Sequence, residues 1–269
     1  MNSNWPGFFL QGCDLNIHHL FDQAVPDPED VKQFQCDDAW TLGRRMRDDT
    51  PGMHSIMVLR LIVNRRANLV AKTFFEEEYF QSIKQLDPFL DESRAYENIL
   101  RNCPPSKSSY FPLYYGVILD LQRDKYPMSY ALRPRAIVLE RVTPDICSRR
   151  VLGRCPRPEY DSFGDFIARL EDLPLSGFEK EWYISLTISR LRRLTALHEI
   201  GILHRDVCDE HFRLPNDFYD TVLYDFSHAY TVNSPWPYVQ RPKPLAELIR
   251  IEQNEVLSSV FVRLVADIP

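Results

Sequence analysis

The stretch Gly201-Ile202-Leu203-His204-Arg205-Asp206, followed by Val222-Leu223-Tyr224-Asp225-Phe226, decides how this chain is read. Gly201 stops a long apolar segment, and Asp206 lies where a loop leaves it. Asp225 ends a β-branched and aromatic run that follows the turn-forming Pro215-Asn216-Asp217. The two short elements read as a hairpin, which would hold both carboxylates over one cleft. There one can act as a base and the other as a ligand for a hard cation.

At 269 residues, with 44% hydrophobic and 26% charged, the chain can bury a sizeable core as one large domain or two lobes. Its net charge of −6 gives no electrostatic reason to expect nucleic acid or an anionic membrane as a partner. The six cysteines form neither a C-x-x-C pair nor a Cys/His group at zinc-like spacing, so they read as reduced thiols. The N-terminus lacks a basic segment followed by an apolar one, and no apolar run approaches membrane-spanning length. The expectation is an intracellular, cytoplasmic protein. Nine glycines against twenty prolines argue for rigid loops and against a glycine-rich phosphate loop.

Along the chain, residues 1–35 show weak periodicity and read as an extension. The runs Ile56 to Val63 and Leu69 to Phe74 flank Asn64-Arg65-Arg66-Ala67-Asn68, the pattern of an antiparallel hairpin. Asp87-Pro88 reads as N-cap and first residue of a helix that carries Leu90, Tyr96, Ile99, Leu100 and Cys103 on one face. A strand from Ala136 to Val142 stops at Thr143-Pro144, which puts a boundary near Val142 and divides the chain into 36–142 and 143–269. Residues 143–160 read as an irregular insertion. The spacing then predicts helices over Phe163 to Leu173, over Glu179 to Ile200 with apolar residues nearly all round, and over Leu245 to about Val265.

With these elements in order, the chain resembles the protein-kinase-like superfamily. His204-Arg205-Asp206 matches its catalytic-loop H-R-D, and Asp225-Phe226-Ser227 stands at its D-F-G with Ser for Gly. The resemblance implies an α+β, two-lobed kinase-like fold whose C-terminal lobe is reduced, since little chain follows Asp225 and no Ala-Pro-Glu triplet occurs there. That economy resembles minimal atypical kinases such as the Rio kinases, and kinase-like proteins of filamentous fungi.

The resemblance also implies roles. Lys72, on a Val-Ala-Lys strand, would bridge the α- and β-phosphates of ATP and pair with a helix glutamate, Glu97 first, with Glu92 and Glu78 as rivals. The plain alternative is an edge-strand lysine reaching solvent. Leu139 would guard the rear of an adenine pocket, and Glu140 and Val142 would present the hinge backbone. Asp206 would be the base near the attacking hydroxyl, and Asp225 the ligand for Mg2+ (or Mn2+). Where the kinase pattern has a metal-binding Asn this chain has His211, and imidazole is a poor ligand for Mg2+. That leaves a one-metal kinase, a Mn2+-tolerant site, or a pocket that has abandoned phosphoryl transfer. His204 reads as scaffold, Arg205 as a local pairing, and His228 as a second imidazole near the pocket. No G-x-G-x-x-G precedes Lys72; Gly43 and Gly52 are unsuitably spaced, and Arg44 and Arg45 read as a surface basic cluster sooner than as phosphate ligands. The function implied is an ATP- and metal-dependent phosphotransferase acting on a small molecule. The alternative is a pseudokinase, either a binding scaffold or a fold reused for acid/base chemistry.

Overall fold

The β-branched runs around Asn64 form the expected hairpin, β2 (Ile56–Val63 in chain order, after β1, Trp40–Arg45) and β3 (Arg66–Phe74). Asn64 and Arg65 make its turn with φ of 49° and 64°, both left-handed, the geometry whose twist suits a two-residue hairpin loop. The computed structural model describes residues 31–46, 56–74, 87–122, 125, 134–142, 161–214, 219–234 and 243–267, with the side chains of 161–163 left aside. Most of the 1–35 extension, Gly52, Glu78, the insertion 143–160 and the Pro215-Asn216-Asp217 turn lie outside the described residues.

β4 (Tyr114–Ile118) and β5 (Arg135–Glu140) complete a five-stranded antiparallel sheet of order β1-β2-β3-β5-β4, so Lys72 stands on the central strand. The Trp40 to Arg45 segment, considered above as a basic cluster, is an edge strand in register with β2, Trp40 opposite Val63. At the other edge Lys32 and Phe34 bond to both backbone groups of Val117 at 2.8 Å. Gly116 makes that approach possible: its φ is 132°, and a Cβ there would lie 2.7 Å from the Lys32 carbonyl oxygen.

Helix α1 (Pro88–Asn102) starts as predicted, with the Asp87 carboxylate accepting from Phe89 N–H at 3.0 Å. Its buried face meets the sheet through Phe89 on Phe74 and Tyr96 stacked on Tyr114. The remaining helices are α2 (Asp161–Glu171), α3 (Gly177–Glu199) and α4 (Leu245–Asp267). A capping box of Ser176 and Glu179 starts α3, and Gly201, at φ 77°, follows its end. As its all-round apolar pattern predicts, α3 is buried from Tyr183 to His198 on most sides. Arg190 is fully buried there because Asp220 meets its guanidinium with two contacts of 3.0 Å and Asp209 with one of 2.5 Å.

The Val222 to Asp225 run is not the predicted hairpin strand. Thr221 N–H donates to Phe212 and Tyr224 N–H to His211, neighbours in one turn, whereas Leu223 N–H donates to distant Tyr110, so the bonds divide between two segments and no ladder forms. The hairpin is made instead by β6 (Ile202–Leu203) and β7 (Tyr230–Thr231), which bracket Asp206 and Asp225 from outside. The result is a mixed α+β molecule. Its larger core cluster runs without a break from Val70, Tyr96 and Phe111 through Leu191 and Phe226 to Leu264, and a smaller one around Leu59, Leu61 and Val138 covers the other sheet face. No helix among the described residues is long and apolar enough to cross a membrane.

Candidate functional site

Lys72 is 5% exposed, and its ammonium lies 2.6 Å from Glu92 Oε2 on α1 and 2.6 Å from Asp225 Oδ1. Burial alone would pull its pKa down, but Asp225 and Glu92 outweigh burial and raise it above the ordinary 10.5. Burial pushes the Glu92 carboxyl up to about 7 against the pull of Lys72. At Asp225 burial also opposes ionisation, yet Lys72, His211 and the Ser227 hydroxyl, 2.7 Å from Oδ1, hold the carboxyl well below the usual range. Asp225 therefore carries the firm negative charge of the trio, and Glu92 is the group that takes a proton first.

The pairing predicted for Glu97 is corrected by this geometry. Five residues separate Glu92 from Glu97, about 140° around a helix, so both cannot face one lysine. Glu97 instead accepts from Lys32 N–H at 2.6 Å and Tyr114 O–H at 2.9 Å, with Arg101 Nη2 3.6 Å away. It fastens the segment before β1 to the sheet edge and has no contact with Lys72 among those described.

The loop carrying Asp206 is held from below by Glu252 on α4. This buried carboxylate accepts from Arg205 N–H at 2.7 Å and His204 N–H at 3.2 Å, and meets His198 Nε2 at 2.7 Å. His204 is fully buried; its Nε2 faces the Tyr224 carbonyl at 3.1 Å while Nδ1 accepts from Asp206 N–H, which assigns a neutral ring with the proton on Nε2. Burial first, then nearby His211, lowers its pKa to about 4, in keeping with the scaffold role expected of it. Arg205 and Asp225 have φ of 62° and 67°, a left-handed backbone that costs a non-glycine residue about 1–2 kcal/mol. Strained backbone at both residues marks places where the fold holds side chains against local preference. Phe226, directly after Asp225, packs edge-on against Tyr96, Phe111 and His204.

Asp206 and Asp225 flank one imidazole. His211 Nδ1 is 2.6 Å from the Asp206 carbonyl oxygen and 3.7 Å from Asp206 Oδ2, and its Nε2 is 3.7 Å from Asp225 Oδ2. The structure thus brings together the two carboxylates that the sequence placed over one cleft. Burial lowers His211, but Cys208, Asp225 and the Asp206 carbonyl prevail and raise it to about 9. The Asp206 carboxylate is half exposed, and His228 Nδ1 stands 4.0 Å from it. On β5, Ile137 lies opposite Lys72, so Leu139 shares that face and is buried. Glu140 N–H and Arg141 N–H donate to the Leu113 and Asn68 carbonyls at 2.9 Å; Val142 is the next residue along.

A hard cation needs oxygen donors. Asp225 supplies such an oxygen: Lys72 and Ser227 hold Oδ1, and Oδ2 stands 3.7 Å from His211 Nε2. His211 does not fit Mg2+, because imidazole nitrogen is a poor ligand for a hard cation that prefers oxygen. Glu252 and Cys208 were missed by sequence reasoning. Glu252 had a signal, since it falls in the buried stripe of α4 with Ile249, Val256 and Val260, where a carboxylate needs a reason.

No protein-family model matches the chain, and no curated protein matches it in sequence. Among solved structures it is similar to the Cydia pomonella granulovirus kinase PK-1, at 11% identity and a TM-score of 0.37, over 73% of this chain and 56% of that one. The chain spans little more than half the length of that kinase.

Proposed function

We propose that the chain is a two-lobed kinase-like domain, with residues 36–142 as one lobe and 143–269 as a reduced second lobe, acting as an ATP- and metal-dependent phosphotransferase. The observation that carries this reading is the buried Lys72 ammonium between Glu92 and Asp225, with Asp206 exposed on the far side of His211. In this reading Lys72 holds the nucleotide phosphates, Leu139, Glu140 and Val142 hold the adenine, and Asp225 holds Mg2+ or Mn2+, which would neutralise phosphate charge. Asp206, half exposed and backed by the Glu252 anchor, orients and deprotonates the attacking hydroxyl.

A small molecule is the favoured substrate. An open groove of about 360 Å³ lies beside Asp206, lined also by Val207, Glu255, Ser258 and Val262, a volume suited to a small ligand. A second reading, a pseudokinase, is favoured by His211 at the metal position.

The deciding experiment is a thermal-shift titration with ATP, ADP and Mg2+ or Mn2+, paired with single-turnover ATP assays. A native-state ligand at a hundredfold excess over Kd adds about 2.7 kcal/mol of stability. Metal-dependent stabilisation, with turnover lost in Asp206→Asn and Asp225→Asn, supports the phosphotransferase. Absence of turnover in the wild type, with or without stabilisation by nucleotide, removes the phosphotransferase and leaves the pseudokinase.

A further inference from the structure

Three side chains of different donor chemistry converge on the loop after His204. The Asp206 carboxylate, the Cys208 thiol and the His211 imidazole each offer one ligand atom, all within 4.8 Å of one another. They come from a single short stretch because the turn Asp209–His211 folds His211 back over Asp206. In a tetrahedral site with bonds of about 2.0–2.3 Å, neighbouring ligand atoms stand roughly 3.3–3.8 Å apart. His211 Nδ1 and Asp206 Oδ2 are already 3.7 Å apart, so closing the set asks for a shift of about 1 Å or less. Cys208 is half-buried and carries no disulfide.

We propose that Asp206, Cys208 and His211 bind a thiophilic divalent cation of the Zn2+ class. A thiolate, an imidazole and a carboxylate form a borderline-soft set that suits Zn2+ or Co2+ and disfavours Mg2+ and Ca2+. Asp225 lies outside the set: Lys72 holds its Oδ1, and its Oδ2 stands 3.7 Å from His211 Nε2. Asp206 and Cys208 also line an open groove of about 360 Å³, through which an exogenous fourth ligand would reach an ion held there. Binding is an exchange with protons: the thiol proton and the proton of the ligating imidazole nitrogen leave to solvent as two metal bonds form, and His211 gives up one of its present contacts, to the Asp206 carbonyl or to Asp225. Occupancy would also take Asp206 out of service as a base. That consequence rests on the proposed function, whereas the binding itself does not.

The test uses the full chain, freed of metal with EDTA and titrated with Co2+ as a spectroscopic stand-in. One equivalent should produce visible bands of tetrahedral intensity and a near-ultraviolet thiolate-to-cobalt band, both removed by one equivalent of Zn2+ and untouched by millimolar Mg2+. Cys208→Ser should abolish the near-ultraviolet band, whereas Cys36→Ser and Cys103→Ser should keep it. Asp206→Asn and His211→Ala should weaken Co2+ binding about tenfold or more. Independently of any variant, Zn2+ should protect Cys208 of the wild type from alkylation, as read by peptide mass spectrometry. Absence of the band, its persistence in Cys208→Ser, displacement by Mg2+, or alkylation of Cys208 unchanged by Zn2+ would each overturn the site. Nucleotide turnover plays no part in these readouts, so the site and the phosphotransferase reading stand or fall separately.

Discussion

At the scale of single residues, the site is governed by the cost of an unpaired buried charge. Lys72 is tolerated because two carboxylates meet it, and removing one partner of such a group costs about 3–5 kcal/mol. Glu92→Gln is therefore expected to destabilise the protein by about 3 kcal/mol in urea titrations and to lower ATP turnover. Glu97→Gln keeps an acceptor for Lys32 N–H and Tyr114 O–H and should cost about 1 kcal/mol, with turnover retained. The opposite ranking would return the role to Glu97. The letters His204, Asp206 and Asp225 were legible in the sequence, but the lysine's partner was not, because helix phase relative to a strand is set by packing and both glutamates lie on the same short helix. Asp91, in the first turn of α1, gives a pH signature. Burial first, then Asp87, pushes its carboxyl up to about 7 from an ordinary 3.8, against Arg94. The folded state thus binds the extra proton, so its contribution is complete below about pH 4 and lost as pH rises through 7. Asp91→Asn should gain on the wild type between pH 4.5 and pH 8, by at most about 4 kcal/mol at about 1.4 kcal/mol per unit. Parallel stability profiles for the two proteins would refute the assignment.

At the scale of elements, the Asp206 loop owes its shape to a helix that arrives later in the chain. Glu252 ties two loop N–H groups and His198 to α4, and Arg205 keeps a left-handed backbone under that hold. Glu252→Gln replaces a charged acceptor by an amide whose NH2 must face donors, so a loss of about 2 kcal/mol is expected. Amide exchange should then accelerate at His204 and Arg205, with β2 and β3 unaffected. Unchanged protection at both amides would show that the loop holds itself. Elements with strong local signals were legible: the β2–β3 hairpin with its Asn64-Arg65 turn, α1 with its Asp87 cap, and the buried α3. β4 was not, because Gly116 interrupts a short aromatic run and its ladder partner, β5, lies some twenty residues further on, with Lys32 and Phe34 bridging its outer edge. The Val222 to Asp225 run carries strand-like residues, yet its backbone N–H groups bond to Tyr110 and to the turn at His211 and to no partner strand, which composition cannot reveal.

At the scale of the whole molecule, the question is whether the sheet half and the helical half unfold together. The larger core cluster crosses the Val142 boundary without a break: Tyr96 and Tyr114 from the sheet side pack through Phe226 and Phe111 toward Leu191 and Leu197 of α3. Asn98 adds a hydrogen bond of 2.8 Å to the Ile200 carbonyl, and Lys72 reaches across to Asp225. Separating the halves would expose Phe226, Tyr96 and Phe111 to water, at about 25 cal/mol for every Å² of apolar surface, and leave the Lys72 ammonium short of a carboxylate. Such shared burial leads us to expect that the halves unfold as one cooperative unit. Fluorine-labelled tryptophan gives a reporter at each end, Trp40 on β1 and Trp182 on α3. Their urea transitions should coincide in midpoint and slope, and Asp225→Asn should shift both equally. If Trp40 and Trp182 report midpoints that differ by more than experimental error, the halves are separable domains that touch, and the charge trio joins them without binding them into one folding unit.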